Sequence, residues 1–388
     1  MRLKISGGTV VGETLEKNDI YVENGKIVAV TNEDLSFDEE IDARGMYVSA
    51  GWIDIHSHGG GGCDFTDGGS ECIINGAKMH LAHGTTSIYP TSCAASFDTL
   101  KSFLKDVSDA LIFPTIRGAH LEGPYFSKNQ SGAQNPEYIV PIDINKSREL
   151  LEYDVLKRWD FAPELDKSEE FSKLLEKNRI VGAIAHSDAV YDDVLKVYEK
   201  GTRLVTHLYS ATSTITRVGG YRRLGIVEST FLLDDMVAEV IADSHHLPPK
   251  LLEMIIKIKG VDKLCLVTDS MRAAGMPDGE YIIGNIKEGL ACIKEDGVAK
   301  LCDRSAFAGS VATADCLVRT VYKKTNTSLC DAVKMLTINP ARVMGLINKG
   351  VLEKGKDADI VIFDDDINVN CVLIEGKKAF ENSNILIW

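Results

Sequence analysis

No stretch of this 388-residue sequence is apolar for long enough to cross a bilayer. Its first residues, Met1-Arg2-Leu3-Lys4-Ile5-Ser6, run into strand-like sequence and lack the long apolar core of a signal peptide. No C-x-x-C pair occurs among the nine cysteines. An odd number without paired spacing reads as free thiols in a reducing compartment, so a cytoplasmic location is expected. Positive charge is in deficit: 43 Lys and Arg against 57 Asp and Glu leave a net charge of −14. That balance argues against nucleic acid and against an anionic membrane surface as partners. It also means that an anionic substrate needs a local patch of cations. Internal repeats and low-complexity tracts are absent.

What is present suits a large α/β domain with a minor one. Residues 1–50 alternate polar and apolar between glycines, as in Asp19-Ile20-Tyr21-Val22 and Lys26-Ile27-Val28-Ala29-Val30, and predict short antiparallel strands. The C-terminus reads the same way at Asp359-Ile360-Val361-Ile362-Phe363 and Asn370-Cys371-Val372-Leu373-Ile374. The two ends, residues 1–50 and 347–388, are expected to pair into one small β-sandwich. Between them, apolar runs end near His56, Thr91, Glu122, Pro163, His186, His207, Asp243 and Asp269. Helical patterns follow most of them, at residues 70–83, 98–111, 168–177, 190–200 and 248–259. Eight such alternations predict a parallel sheet closed as a (β/α)8, TIM-like barrel over residues 51–346. Residues 280–303 read as a β-hairpin insertion after the eighth strand.

In such barrels the reacting groups stand at the C-terminal ends of the strands. His56 and His58 follow the apolar run Gly51-Trp52-Ile53-Asp54-Ile55, and their i, i+2 spacing aims both imidazoles at one point. Glu122, His186, His207 and Asp269 stand at four further strand ends. A hydrogen-bonding role explains any one of these residues, but not five strand ends converging on one mouth. Imidazole and carboxylate donors suit a divalent metal. Glu122 has the two oxygens needed to bridge two ions, and Asp269 suits a ligand, a general base, or both. His120 shares the face of Glu122 and reads as packing behind it, while His80 and His83 read as core or solvated histidines. A metal and an acid/base carboxylate together describe hydrolysis at a carbonyl or phosphoryl centre, and amide cleavage in particular.

These residues resemble the amidohydrolase superfamily and, within it, the N-acetylglucosamine-6-phosphate deacetylase family. The resemblance runs nearly end to end, through Gly51-Trp52-Ile53-Asp54-Ile55-His56-Ser57-His58, His120-Leu121-Glu122-Gly123-Pro124, Gly132-Ala133-Gln134-Asn135-Pro136, Ala185-His186-Ser187-Asp188, Thr206-His207-Leu208-Tyr209 and Val267-Thr268-Asp269. It implies a main metal on Glu122, His186 and His207, with Asp269 as acid/base and a further metal-site residue. It implies a second metal on His56 and His58, bridged by Glu122. One or two ions of zinc, iron, manganese or nickel are therefore expected. Gln134 falls where some members carry a histidine that polarises the acetyl carbonyl.

The departures lie on the substrate side. The family's His-Leu-Tyr/Phe-Asn-Ala-Met appears as His207-Leu208-Tyr209-Ser210-Ala211-Thr212, which makes Ser210 and Ala211 substrate-facing candidates. Asp243-Ser244-His245-His246 replaces Asp-Gly-x-His, with His246 as the counterpart of a phosphate-facing histidine. Arg217, Arg222 and Arg223 lie where the family sends an arginine into a neighbouring subunit's phosphate site, and otherwise read as a solvated helix start and loop. The expected reaction is metal-dependent deacetylation of N-acetylglucosamine 6-phosphate by a homodimer. Alternatives are another N-acyl amino sugar, such as N-acetylgalactosamine 6-phosphate, or a non-catalytic sugar-phosphate binder. The last of these should have lost ligands that this chain keeps.

Overall fold

The computed structural model describes residues 1–386. Eight strands form one parallel sheet: β1 (Trp52–Ser57), β2 (Thr85–Ser92), β3 (Ala119–Glu122), β4 (Leu156–Phe161), β5 (Val181–Ile184), β6 (Leu204–Val205), β7 (Val237–Val240) and β8 (Leu264–Leu266). Each pairs with the next in chain order, as at Thr91 with His120, Glu122 with Asp160 and Val240 with Leu266. The ring closes just beyond β8, where the Asp269 amide donates to His56 O at 2.9 Å and the His58 amide to Ser270 O at 2.7 Å. The expected (β/α)8 barrel is the observed one.

Two-residue alternation makes the strands chemically two-faced. On β4, Trp159 and Phe161 face outward and each meets Phe171 of the helix Ser168–Lys177 edge-on at 5.1 Å. Arg158 and Asp160, which alternate with them along the strand, pair with each other in the interior. On β3 and β7 the inward positions are His120, Glu122 and Glu239, all buried, while Ala119, Leu121, Ala238 and Val240 join the outer apolar layer.

Both chain ends build the sandwich. One sheet holds Lys26–Thr31, Asp19–Glu23, Arg2–Ser6 and Glu39–Asp42; the other threads Tyr47–Ala50 between Thr9–Val11 and Ile360–Phe363. Ile360 and Ile362 pack with Ile5, Ile20 and Val48 inside the sandwich, while Val361 and Phe363 join Trp52 in the core against the barrel. Two readings are corrected here. The N-terminal strands are not all antiparallel, because Arg2–Ser6 runs parallel to Glu39–Asp42, and Thr9–Val11 parallel to Tyr47–Ala50. Local alternation identifies strands but carries no information on direction. The insertion after β8 is a three-stranded sheet, Gly279–Ile283, Leu290–Glu295 and Val298–Leu301, rather than a two-stranded hairpin.

Candidate metal-dependent active site

Glu122 ends β3 and His56 is the next-to-last residue of β1, whereas His186, His207 and Asp269 stand two or three residues beyond β5, β6 and β8. Those last three adopt left-handed backbone, with φ of 46°, 30° and 47°. Non-glycine residues rarely do so, and such strain gathers at functional sites where the surrounding structure holds it. Here it breaks the strand pleat and brings three side chains over the barrel mouth.

The side chains converge on Glu122. Its Oε1 lies 2.9 Å from His207 Nε2 and 3.1 Å from His186 Nε2, and its Oε2 lies 3.2 Å from His58 Nε2. His56 Nε2 is 3.3 Å from His58 Nε2 and 3.4 Å from Asp269 Oδ1, which also stands 3.2 Å from His58 Nε2. Two groups of three donors result: His56, His58 and Glu122, and Glu122, His186 and His207, each with its ligand atoms within 4.8 Å of one another. All six side chains are at least nine-tenths buried.

Burial opposes the charged forms of Glu122, Asp269 and His207, yet the two carboxylates overcome it. Glu122 is held well below the usual carboxylate range by His186 and His56, and Asp269 is drawn down to about 2 by His56 and His58. The hydrogen bond and charge of Glu122 lift His207 to about 9 against its burial. The imidazole nitrogens thus crowd the carboxylates where a cation would balance them. An all-nitrogen and oxygen donor set of this kind fits a divalent metal, which competes with protons for the same lone pairs.

The mouth opens into a cavity of about 300 Å³. Gln134, Ser210, Ala211, His246, Tyr209 and Phe307 are among its lining. The Gln134 amide nitrogen donates to Glu122 Oε2, and its oxygen accepts from the Ala94 amide at 2.6 Å, which fixes the amide's orientation. His246 Nδ1 is 2.8 Å from Asp243 Oδ2, and its ring packs on Phe307 at 4.7 Å. Arg217, Arg222 and Arg223 do not join this cavity. They sit exposed on an antiparallel hairpin, Thr216–Val218 with Tyr221–Arg223, closed by Gly219 and Gly220 at φ of 57° and 86°. The reading of that segment as a helix start is corrected, because two successive positive φ values demand the Gly-Gly turn of a hairpin.

His120 is buried behind Glu122, with Nε2 2.9 Å from Asp160 Oδ1. His80 is buried and bonds to Gly59 O at 2.9 Å, whereas His83 is half-exposed and meets Asp315 at 3.1 Å. Sequence reasoning passed over Arg158, Asp160 and Glu239, which form an ion network behind the histidines. The signal was available: Arg158 and Asp160 share the inward face by i, i+2 spacing, and Glu239 interrupts an apolar strand.

The amidohydrolase family matches the chain over residues 47–380. N-acetylglucosamine-6-phosphate deacetylase of Lysinibacillus sphaericus is 31% identical over 376 residues, covering 95% of each chain. N-acetylgalactosamine-6-phosphate deacetylase of Escherichia coli O157:H7 is 27% identical over 373 residues, covering 94% of this chain and 95% of that one. Among solved structures, a variant of N-acetyl-D-glucosamine-6-phosphate deacetylase from Mycobacterium smegmatis, in complex with N-acetyl-D-glucosamine-6-phosphate, superposes with a TM-score of 0.89. It is 28% identical, and the match covers 97% of this chain and 98% of that chain.

Proposed function

This chain belongs to the amidohydrolase family, and we infer that it hydrolyses the acetamide of N-acetylglucosamine 6-phosphate to glucosamine 6-phosphate and acetate. The observation that carries the reading is the convergence of Glu122, His186, His207, His56, His58 and Asp269 at one barrel mouth, in a chain alike end to end with deacetylases of that sugar phosphate.

Glu122, His186 and His207 would hold one divalent ion, and His56 and His58, with the second oxygen of Glu122, another. Such an ion supplies Lewis acidity toward a carbonyl and makes water acidic enough to react at neutral pH. The protein's own groups do the rest. Asp269 takes a proton from the water that attacks the acetamide carbonyl, and returns it to the sugar nitrogen as the C–N bond breaks. A leaving amine needs that proton. Gln134 keeps one N–H beyond the bond to Glu122, and this donor would serve the acetyl oxygen. Ser210, Ala211 and His246 face the sugar and its phosphate.

The catalytic unit in this reading is residues 51–346, supported by residues 1–50 and 347–388. The cavity lining contains no lysine or arginine, while the three hairpin arginines have no carboxylate within 4.0 Å among the described residues. That imbalance favours a homodimer in which the hairpin of one subunit supplies cations to the phosphate bound by the other. Nine free cysteines favour a cytoplasmic setting, and no helix among the described residues is long and apolar enough to cross a membrane. The ion is zinc, iron, manganese or nickel.

Acetate release by the metal-replete protein tests the reading. A kcat/KM of roughly 10⁴ M⁻¹s⁻¹ or more on N-acetylglucosamine 6-phosphate supports it, being within the usual enzyme range. Asp269→Asn should keep fold and metal and lose nearly all turnover. Ser210 and the likeness to a galactosamine-type deacetylase favour N-acetylgalactosamine 6-phosphate as the second substrate to assay. Faster turnover of that epimer, or of an unphosphorylated sugar, would displace the first assignment.

A further inference from the structure

Behind the histidines lies a layer of charge that the proposed chemistry does not use. Arg158, Asp160 and Glu239 are completely buried. Arg158 Nε and Nη2 hold the two oxygens of Asp160, each at 2.9 Å, and Nη2 also donates to Thr206 Oγ1 at 2.8 Å. Its Nη1 donates to Ile55 O at 3.2 Å and, closely, to Glu239 Oε1. One oxygen of Glu239 is thereby committed to the guanidinium. The other, Oε2, stands 3.1 Å from His56 Nδ1 and 3.4 Å from the His207 amide nitrogen.

A neutral imidazole carries one N–H, and the partner of one nitrogen decides the state of the other. A carboxylate cannot donate, so Glu239 Oε2 puts the proton of His56 on Nδ1. Nε2 is then left as a lone pair among His58, Asp269 and Glu122. None of the other three site histidines has a carboxylate on its outer nitrogen. His58 Nδ1 faces Cys93 Sγ at 3.5 Å, a weak partner, His186 Nδ1 faces Gln130 O at 2.7 Å, and His207 Nδ1 has no partner among the described residues.

We propose that Glu239 is a positioning residue for the group His56, His58 and Glu122: it fixes the His56 tautomer that can take a divalent ion, and Arg158 holds Glu239 in the orientation that does so. The inference rests on the metal reading above.

Glu239→Gln tests it without changing size. An amide has one acceptor, and Arg158 is a permanent donor, so the Gln oxygen must turn to Arg158 and its NH₂ to His56. Nδ1 then has to accept, and the proton moves to Nε2, where it blocks the ligand position. Titrating the metal-free full-length protein with zinc against a chromophoric chelator should give two ions in the unsubstituted chain. E239Q should bind one ion with unchanged affinity and the other about 10- to 100-fold more weakly. In parallel, the zinc-loaded unsubstituted chain should show a low-field imidazole N–H resonance, assigned to His56 by its loss in His56→Ala, that E239Q lacks. Unchanged affinity for both ions, or equal weakening of both, overturns the proposal. Should E239Q fail to fold, absence of that resonance in the unsubstituted chain does so alone. A single ion in the unsubstituted chain refutes this inference and leaves the first metal group standing. No zinc at all would remove the metal reading with it.

Discussion

His80 and His207 are the same side chain at similar depth, with opposite proton affinities. Glu122 beside His207 lifts it to about 9, whereas His80 has only a carbonyl and the Ser57 hydroxyl at Nε2, and burial takes it down to about 4 from 6.5. The sequence left His80 between a core and a solvated reading, because helix position alone does not report whether a carboxylate will stand nearby. The sign of its effect on stability follows from proton binding. Between pH 6.5 and 4 the unfolded chain binds a proton at this histidine and the folded chain does not, so its contribution is complete above pH 6.5 and is lost as pH falls toward 4. The loss is at most roughly 3 kcal/mol. His80→Gln keeps an N–H for Gly59 O and does not titrate. The unsubstituted chain should therefore lose unfolding free energy relative to His80→Gln as pH falls, read from urea melts across that window. Parallel curves would show that the buried imidazole does not resist protonation.

At the level of the element, the turn from the first barrel helix, Ser70–Ala82, into β2 depends on one residue. Gly84 has φ of 94°, and a Cβ there would stand 2.4 Å from the buried Trp52 ring. Alanine would carry both the left-handed backbone cost and overpacking against an immobile indole. Gly84→Ala should destabilise the chain by about 2–4 kcal/mol, read as a fall in the urea midpoint with unchanged slope. A change below about 0.5 kcal/mol would mean that the strand yields at no cost. Helices were legible nearly to the residue: residues 168–177 are helical as expected, and residues 248–259 begin one residue late. Strand ends were less so. His186, His207 and Asp269 read as the last residues of strands, yet lie past them in left-handed backbone that no hydrophobic period encodes.

Across the whole molecule, charge is distributed unevenly. The chain carries −14 overall, yet Arg217 and Arg222 stand directly opposite each other on an exposed hairpin. Like charges so paired are unfavourable unless an anion joins them. Replacing Arg217, Arg222 and Arg223 together by alanine should lower kcat/KM for the phosphorylated sugar at least tenfold more than for its unphosphorylated counterpart. Sedimentation of the unsubstituted chain should show a dimer at assay concentration. Equal losses on both sugars, or a monomer that is fully active on the phosphorylated one, would remove the hairpin from the phosphate site.

By itself the sequence determined the barrel, the pairing of both chain ends into one sandwich, and the donors at the strand ends. Each is written in local periodicity, in the spacing of His56 and His58, and in the order of polar residues after apolar runs. Only the tertiary structure decided strand direction in the sandwich, the place of the arginines outside the chain's own cavity, and the link from Arg158 through Glu239 to His56. Glu239 is 183 residues from His56 along the chain, and only closure of the barrel brings its second oxygen to the imidazole. Periodicity gives the face on which a residue lies; the closed ring of strands decides which residue it meets there.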